Sequence, residues 1–144
     1  MNKATWVTAA SALDVDHLVP LAETWDSGAS GWTAKRREGY ANDLGTPTSL
    51  IAVTAKSNRA KADKDLAESL PPSTTYQCSY VVSWVETKLR RGLAADDRER
   101  EALGGLAGDC PGATITHESV LAACPHAGTH GKVPLSRGTT RLGG

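Results

Sequence analysis

The sequence predicts an α+β domain in which two short strands and one helix carry the chemistry and further helices support them. Three observations lead there. In Leu13-Asp14-Val15-Asp16-His17, Leu13 and Val15 alternate with two carboxylates, the pattern of a short half-buried strand. About 40 residues on, Leu50-Ile51-Ala52-Val53-Thr54 is apolar and β-branched, as in a second strand. Directly after it, Ser57 or Asn58 can cap a helix running to about Leu70. Ala62, Leu66 and Leu70 would give it a buried face and Pro71-Pro72 would end it.

The remaining elements follow in order. Pro20 stops the first strand pattern. The Gly- and Ser-rich stretch from Trp25 to Trp32 reads as a loop whose indoles cover the core edge. Thr33 can cap a short helix through Lys35 to Tyr40, and Asn42 to Ser49, with Gly45 and Pro47, reads as a turn. Residues 75–91 predict a helix, because Tyr76, Tyr80, Trp84 and Lys88 recur every four residues, as do Val81, Val85 and Leu89. That aromatic stripe reads as core rather than as a base-stacking platform. Gly92 breaks the helix. Asp96 with Glu99 resembles a capping box for a last helix that turns Ala102, Leu103 and Leu106 inward.

A chain of 144 residues is one domain by length, and its formal net charge of zero gives no global signal for nucleic acid. Basic residues cluster locally at Lys35-Arg36-Arg37, from Lys56 to Lys64, and at Lys88-Arg90-Arg91. Each cluster reads as a solvated helix face or as a phosphate track, the middle one lying beside the candidate site. Residues 1–12 hold no apolar run of signal-peptide length, and no membrane span occurs, so the chain as written is expected in the cytoplasm. The sequence leaves the oligomeric state open.

Residues 112–144 differ in character from residues 1–111. They are rich in Gly, Thr and Pro, with Glu118 the one acidic side chain, and are expected to form a flexible tail. Cys110, Cys124, His126 and His130 offer zinc-type ligands at a spacing that matches no strong signature, so a small structural zinc protein is one alternative reading. Cys78 and Cys110 bracket the last two helices. They are either a disulfide closing a loop of about thirty residues or two reduced thiols.

The chemistry the residues suit is phosphodiester hydrolysis. His17 is the natural base near neutral pH, since an unperturbed imidazole has a pKa of about 6.5. A hard divalent ion takes oxygen ligands, often one or two from the protein, and Asp16 and Asn58 each offer one. Arg59 and Lys61 can meet phosphate as donors and charges, with Lys56 and Lys64 close by. Neighbours on a strand point to opposite faces, so Asp16 and His17 can hold different tasks.

The run from Asp16-His17-Leu18-Val19-Pro20-Leu21 to Trp25-Asp26-Ser27-Gly28-Ala29 resembles actinobacterial HNH endonuclease family proteins, which are related to the C-terminal domain of the GmrSD restriction endonucleases. The resemblance continues through Arg37-Glu38-Gly39-Tyr40-Ala41-Asn42-Asp43, Leu50-Ile51-Ala52-Val53, Ser57-Asn58-Arg59-Ala60-Lys61 and Leu70-Pro71-Pro72 to Cys110-Pro111. It implies a ββα-metal (HNH) finger supported by additional helices. It further implies a metal-dependent endonuclease acting on DNA, with RNA the other possible substrate. By position, His17 would be the general base, Asp16 and Asn58 the ligands of Mg²⁺ (or Mn²⁺ or Zn²⁺), and Lys61 a phosphate contact. Where the family has Asn just before the second strand this chain has Ser49, and Asn42 is the nearest Asn that could brace the loop between the strands. Ser69 replaces a usual Trp. These departures motivate a second alternative, a nucleic-acid-binding domain without catalysis. Relatives often carry an exported N-terminal portion and paired Cys.

Overall fold

A computed structural model describes residues 7–120 and the backbone of residues 140–141. The fold is α+β, with five α-helices and two small sheets among the described residues. Strand β1, Leu13–His17, leads through α1, Leu21–Asp26, and α2, Ala34–Ala41, to β2, Leu50–Thr54. The two strands pair antiparallel in a register that sets Asp14 opposite Val53 and Asp16 opposite Ile51. Helix α3, Ala55–Lys61, follows β2 without a break and packs on both strands. Helices α4, Thr74–Arg91, and α5, Asp97–Gly108, complete the support.

The core is built where the sequence places its apolar faces. Leu18 and Val19, just after β1, meet Tyr80, Val81 and Trp84 of α4, and Leu66 closes the cluster. Ile51, Leu70, Ala102, Leu103 and Leu106 pack around it. Ser73 caps α4 by accepting the Tyr76 N–H, and Gly92 ends it in the left-handed conformation at φ 66°. Asp96 caps α5 through the Glu99 N–H. The Glu99 side chain does not reach back as a capping box would. It turns inward, 1% exposed, to accept from the Trp84 indole N–H and from Lys88.

Several expectations change. The helix after β2 begins at Ala55, capped by Thr54, and stops at Lys61 rather than Leu70. Ala62 takes a positive φ of 48°, a conformation that ends right-handed helix, and a local turn in which Asp65 accepts the Glu68 N–H delivers Leu66 to the core instead. The faces of β1 are also reversed. Asp14 and Asp16 point toward α3, where Asn58 and Lys61 meet them, so Val15 is left 71% exposed. The Trp25–Trp32 segment is a short helix and a 3₁₀ turn rather than a loop, and Trp25 stays half exposed.

The Lys88-Arg90-Arg91 cluster is internal wiring rather than a solvated face. Lys88 is buried and donates to Glu23, Ser27, Glu99 and the Ala94 carbonyl, while Arg90 and Arg91 pair with Asp43. Arg36 and Arg37 are likewise engaged, on the carbonyls of Arg91 and of Trp32. The first part of the expected tail is packed. Ile115 is 4% exposed, β3, Thr114–Ile115, pairs with β4, Thr140–Arg141, and the Thr116 and Val120 N–H groups donate to Glu86 and to the Arg90 carbonyl of α4. Cys78 and Cys110 form a disulfide that ties the start of α4 to the end of α5. Cys110 is thereby removed from any zinc set, and Cys124, His126 and His130 lie outside the described residues.

Candidate active site

The end of β1 and the middle of α3 wall an open groove of about 450 Å³. Asp16, His17, Pro20, Leu21, Asn58 and Arg59 line it. Strand alternation sends Asp16 toward α3 and His17 toward α2, and both still border the groove at the strand end.

His17 is held from behind. Its Nε2 lies 2.9 Å from the Ala41 carbonyl oxygen at the end of α2. A carbonyl only accepts, so Nε2 carries the proton, and the neutral ring keeps its lone pair on Nδ1. The Tyr40 ring stacks on the imidazole at 5.8 Å between centroids. Its hydroxyl donates to the Val19 carbonyl, and burial pushes the phenol up to about 12, so it stays a neutral donor.

Asp16 is 8% exposed and accepts from the Lys61 ammonium at 2.6 Å through Oδ2. The same ammonium donates to the His17 carbonyl. Lys61 therefore ties the carboxylate to the backbone of the next residue, and it faces inward rather than lining the groove. Burial lowers its pKa, against the pull of Asp16. Asn58 donates through Nδ2 to Asp14 at 3.1 Å, which fixes its amide with the carbonyl oxygen as the remaining acceptor. Asp16 and Asn58 thus line one groove. Two oxygen donors beside open volume fit a hard divalent cation that keeps most of its own waters. Among the described residues no group of three His, Cys, Asp or Glu is placed to hold a metal, so a closed zinc-type site is not formed there. Arg59 is exposed on the groove wall; Lys56 and Lys64 are exposed outside it, and Lys64 donates to the Ala60 carbonyl.

The bracing expected of Asn42 falls to its neighbour. The Asn42 amide donates to the Glu38 carbonyl of its own helix and is exposed. Asp43 is 5% exposed and accepts from Ser49 Oγ, from the Gly45 N–H and from Arg91. Although burial raises its pKa, the hydrogen bonds from Arg91, Arg90 and Gly45 outweigh that and hold it at about 2. Ser49 in turn accepts the Leu18 N–H through its carbonyl. Asp43 and Ser49 therefore close the loop that begins with the carbonyl orienting His17. The Asp43-x-Gly45 spacing is a sequence signal for that turn. The Ala41 carbonyl carries no sequence signal, since any residue supplies one.

Two antiparallel strands, with a helix directly after the second, bring an acid, an imidazole and an amide around one groove. The chain belongs to the family of GmrSD restriction endonucleases, C-terminal domain, which matches residues 2–106. It is 43% identical over 107 residues to an "Uncharacterized secreted protein" of the fungus Arthroderma benhamiae, a match covering 74% of this chain and 52% of that protein. The chain thus spans about half the length of that relative. No solved structure matches.

Proposed function

We propose that this chain is a metal-dependent HNH endonuclease that hydrolyses phosphodiester bonds in DNA. The observation that carries the reading is the hydrogen bond from His17 Nε2 to the Ala41 carbonyl, beside a groove that also gathers Asp16, Asn58 and Arg59. The family assignment supports a nuclease. The antiparallel β1–β2 pair with α3 directly after it supports the reading of a ββα-metal finger.

His17 Nδ1 accepts the proton of the attacking water, and the Ala41 carbonyl stabilises the imidazolium that results. Asp16 and Asn58 would hold one divalent cation, Mg²⁺ or its substitutes, and such an ion would supply positive charge for the oxygen that leaves. Lys61 acts as a positioning residue on Asp16 and on the His17 backbone. Arg59, on the groove wall, meets the phosphate in place of Lys61, with Lys56 and Lys64 extending the positive track. The Cys78–Cys110 disulfide and the secreted relative support an oxidising compartment for the protein.

Cleavage of supercoiled plasmid with Mg²⁺ or Mn²⁺, with and without chelator, tests the reading. Nicking that needs both the metal and His17 is the expected result. Wild-type cleavage by His17→Ala would remove the base assignment, and no cleavage in any metal by a folded protein would leave a nucleic-acid-binding domain without catalysis.

A further inference from the structure

Behind His17 lies a second hollow, of about 290 Å³, that the cleavage chemistry does not use. Leu21, Trp25, Trp32, Arg37, Tyr40 and Ala41 are among the residues that form it, and its open surface is almost wholly carbon. Its size falls just under the ~300–1,000 Å³ of sites for drug-sized ligands, which suits a single heteroaromatic ring system. Trp25 is 50% exposed there, a large apolar area for a side chain with no covering element.

Two features say what covers it. Leu21 lines both this hollow and the candidate active-site groove, and Tyr40 and Ala41 form its wall on one side while holding His17 on the other. The rim carries both signs: Arg37, whose guanidinium stands 5.3 Å over the Trp25 ring, and Glu38 line the hollow, and Arg36 stands 4.0 Å over Trp32 beside it. An aromatic, carbon-lined hollow that shares Leu21 with the candidate active-site groove suits a nucleobase whose adjacent phosphate lies in that groove.

We propose that this hollow receives one unstacked nucleobase of the substrate strand, next to the phosphate lying in the groove, with Trp25 as its stacking platform. The inference rests on the nucleic-acid reading of the groove. A strand with an unpaired base enters directly, whereas an intact duplex must first release one at a cost of a few kcal/mol. The chain therefore prefers single-stranded, gapped or distorted substrates.

The test separates base binding from cleavage by using His17→Ala, which retains the hollow. Short single-stranded oligonucleotides, each with one abasic position, are titrated against it while Trp fluorescence is followed. One position should lose about tenfold in affinity when its base is removed, the range seen when a base–aromatic stack is deleted. That position should be insensitive in His17→Ala/Trp25→Ala and should recover at least half its effect with Trp25→Phe. An abasic series with no sensitive position would overturn the proposal, and so would a sensitivity that persists without Trp25. The abasic series needs no change at Trp25, so poor folding of a Trp25 variant does not decide the matter. Cleavage without base sensitivity would leave the nuclease reading standing and this inference refuted. Base sensitivity without cleavage by the wild type would do the reverse.

Discussion

Asp43→Asn should destabilise the protein in a pH-dependent way and lower cleavage with it. The carboxyl is held at about 2 from its ordinary 3.8, by Arg91, Arg90 and the Gly45 N–H acting against burial. Each tenfold of that difference corresponds to about 1.4 kcal/mol, so the ionised form contributes about 2 kcal/mol to the folded state. A depressed carboxylate stabilises above its unfolded pKa, and the contribution disappears as the folded pKa is reached. The ~2 kcal/mol is therefore fully present above about pH 4 and fades toward pH 2. Asparagine keeps the shape and can still bond Ser49, but it leaves Arg91 without its charge. Urea denaturation at pH 7 should show Asp43→Asn less stable by about 2 kcal/mol, and at pH 2 the two proteins should nearly coincide. A difference that stays constant with pH would refute the ionised pair as its source. The same variant loosens the loop that begins at Ala41, so plasmid cleavage at neutral pH should fall although Asp43 touches no substrate.

Other perturbations probe separate parts. Glu99→Ala leaves the Trp84 indole N–H unpaired and strips one of two carboxylates from buried Lys88, and should cost about 3 kcal/mol in a urea or thermal melt. Cys78→Ser, or reduction of the wild type, opens a link between residues 32 apart and should cost about 2–4 kcal/mol, with no further loss when reductant is added to the variant. Arg59→Ala should weaken DNA binding across sequences and reduce the slope of log affinity against log salt by about 1, while the thermal melt stays within error.

Much of this fold was legible because its signals are local. Thr33 and Asp96 cap the helices that the sequence predicts for them, and Leu50–Thr54 forms the second strand within the expected bounds. Two of the departures share one physical cause: charge that local sequence pattern leaves in solvent is buried here. The alternation of β1 is real, but the carboxylates take the inner face because Asn58 and Lys61 are there to meet them. Lys88 and Arg91 sit on the helix face assigned to core by its aromatic members, yet their carboxylate partners come from Glu23, Glu99 and Asp43, far along the chain. Helix α3 ends early because Ala62 adopts a positive φ that the regular spacing of Leu66 and Leu70 conceals.

The candidate site divides the same way. The groups that would do chemistry, His17, Asp16 and Asn58, are visible as residue types at a spacing. The groups that aim them are not. His17 is oriented by a backbone carbonyl, Asp16 by a lysine that looked like a phosphate ligand, and the loop behind both by Asp43 and Ser49. Ser49 stands where the resemblance expects Asn, yet its hydroxyl and carbonyl together bind Asp43 and the Leu18 N–H, joining the loop to the chain just after His17. Asp43 thus collects donors from Ser49, Gly45, Arg90 and Arg91, and through Ser49 the loop is fastened to the chain just after His17 without any amide side chain.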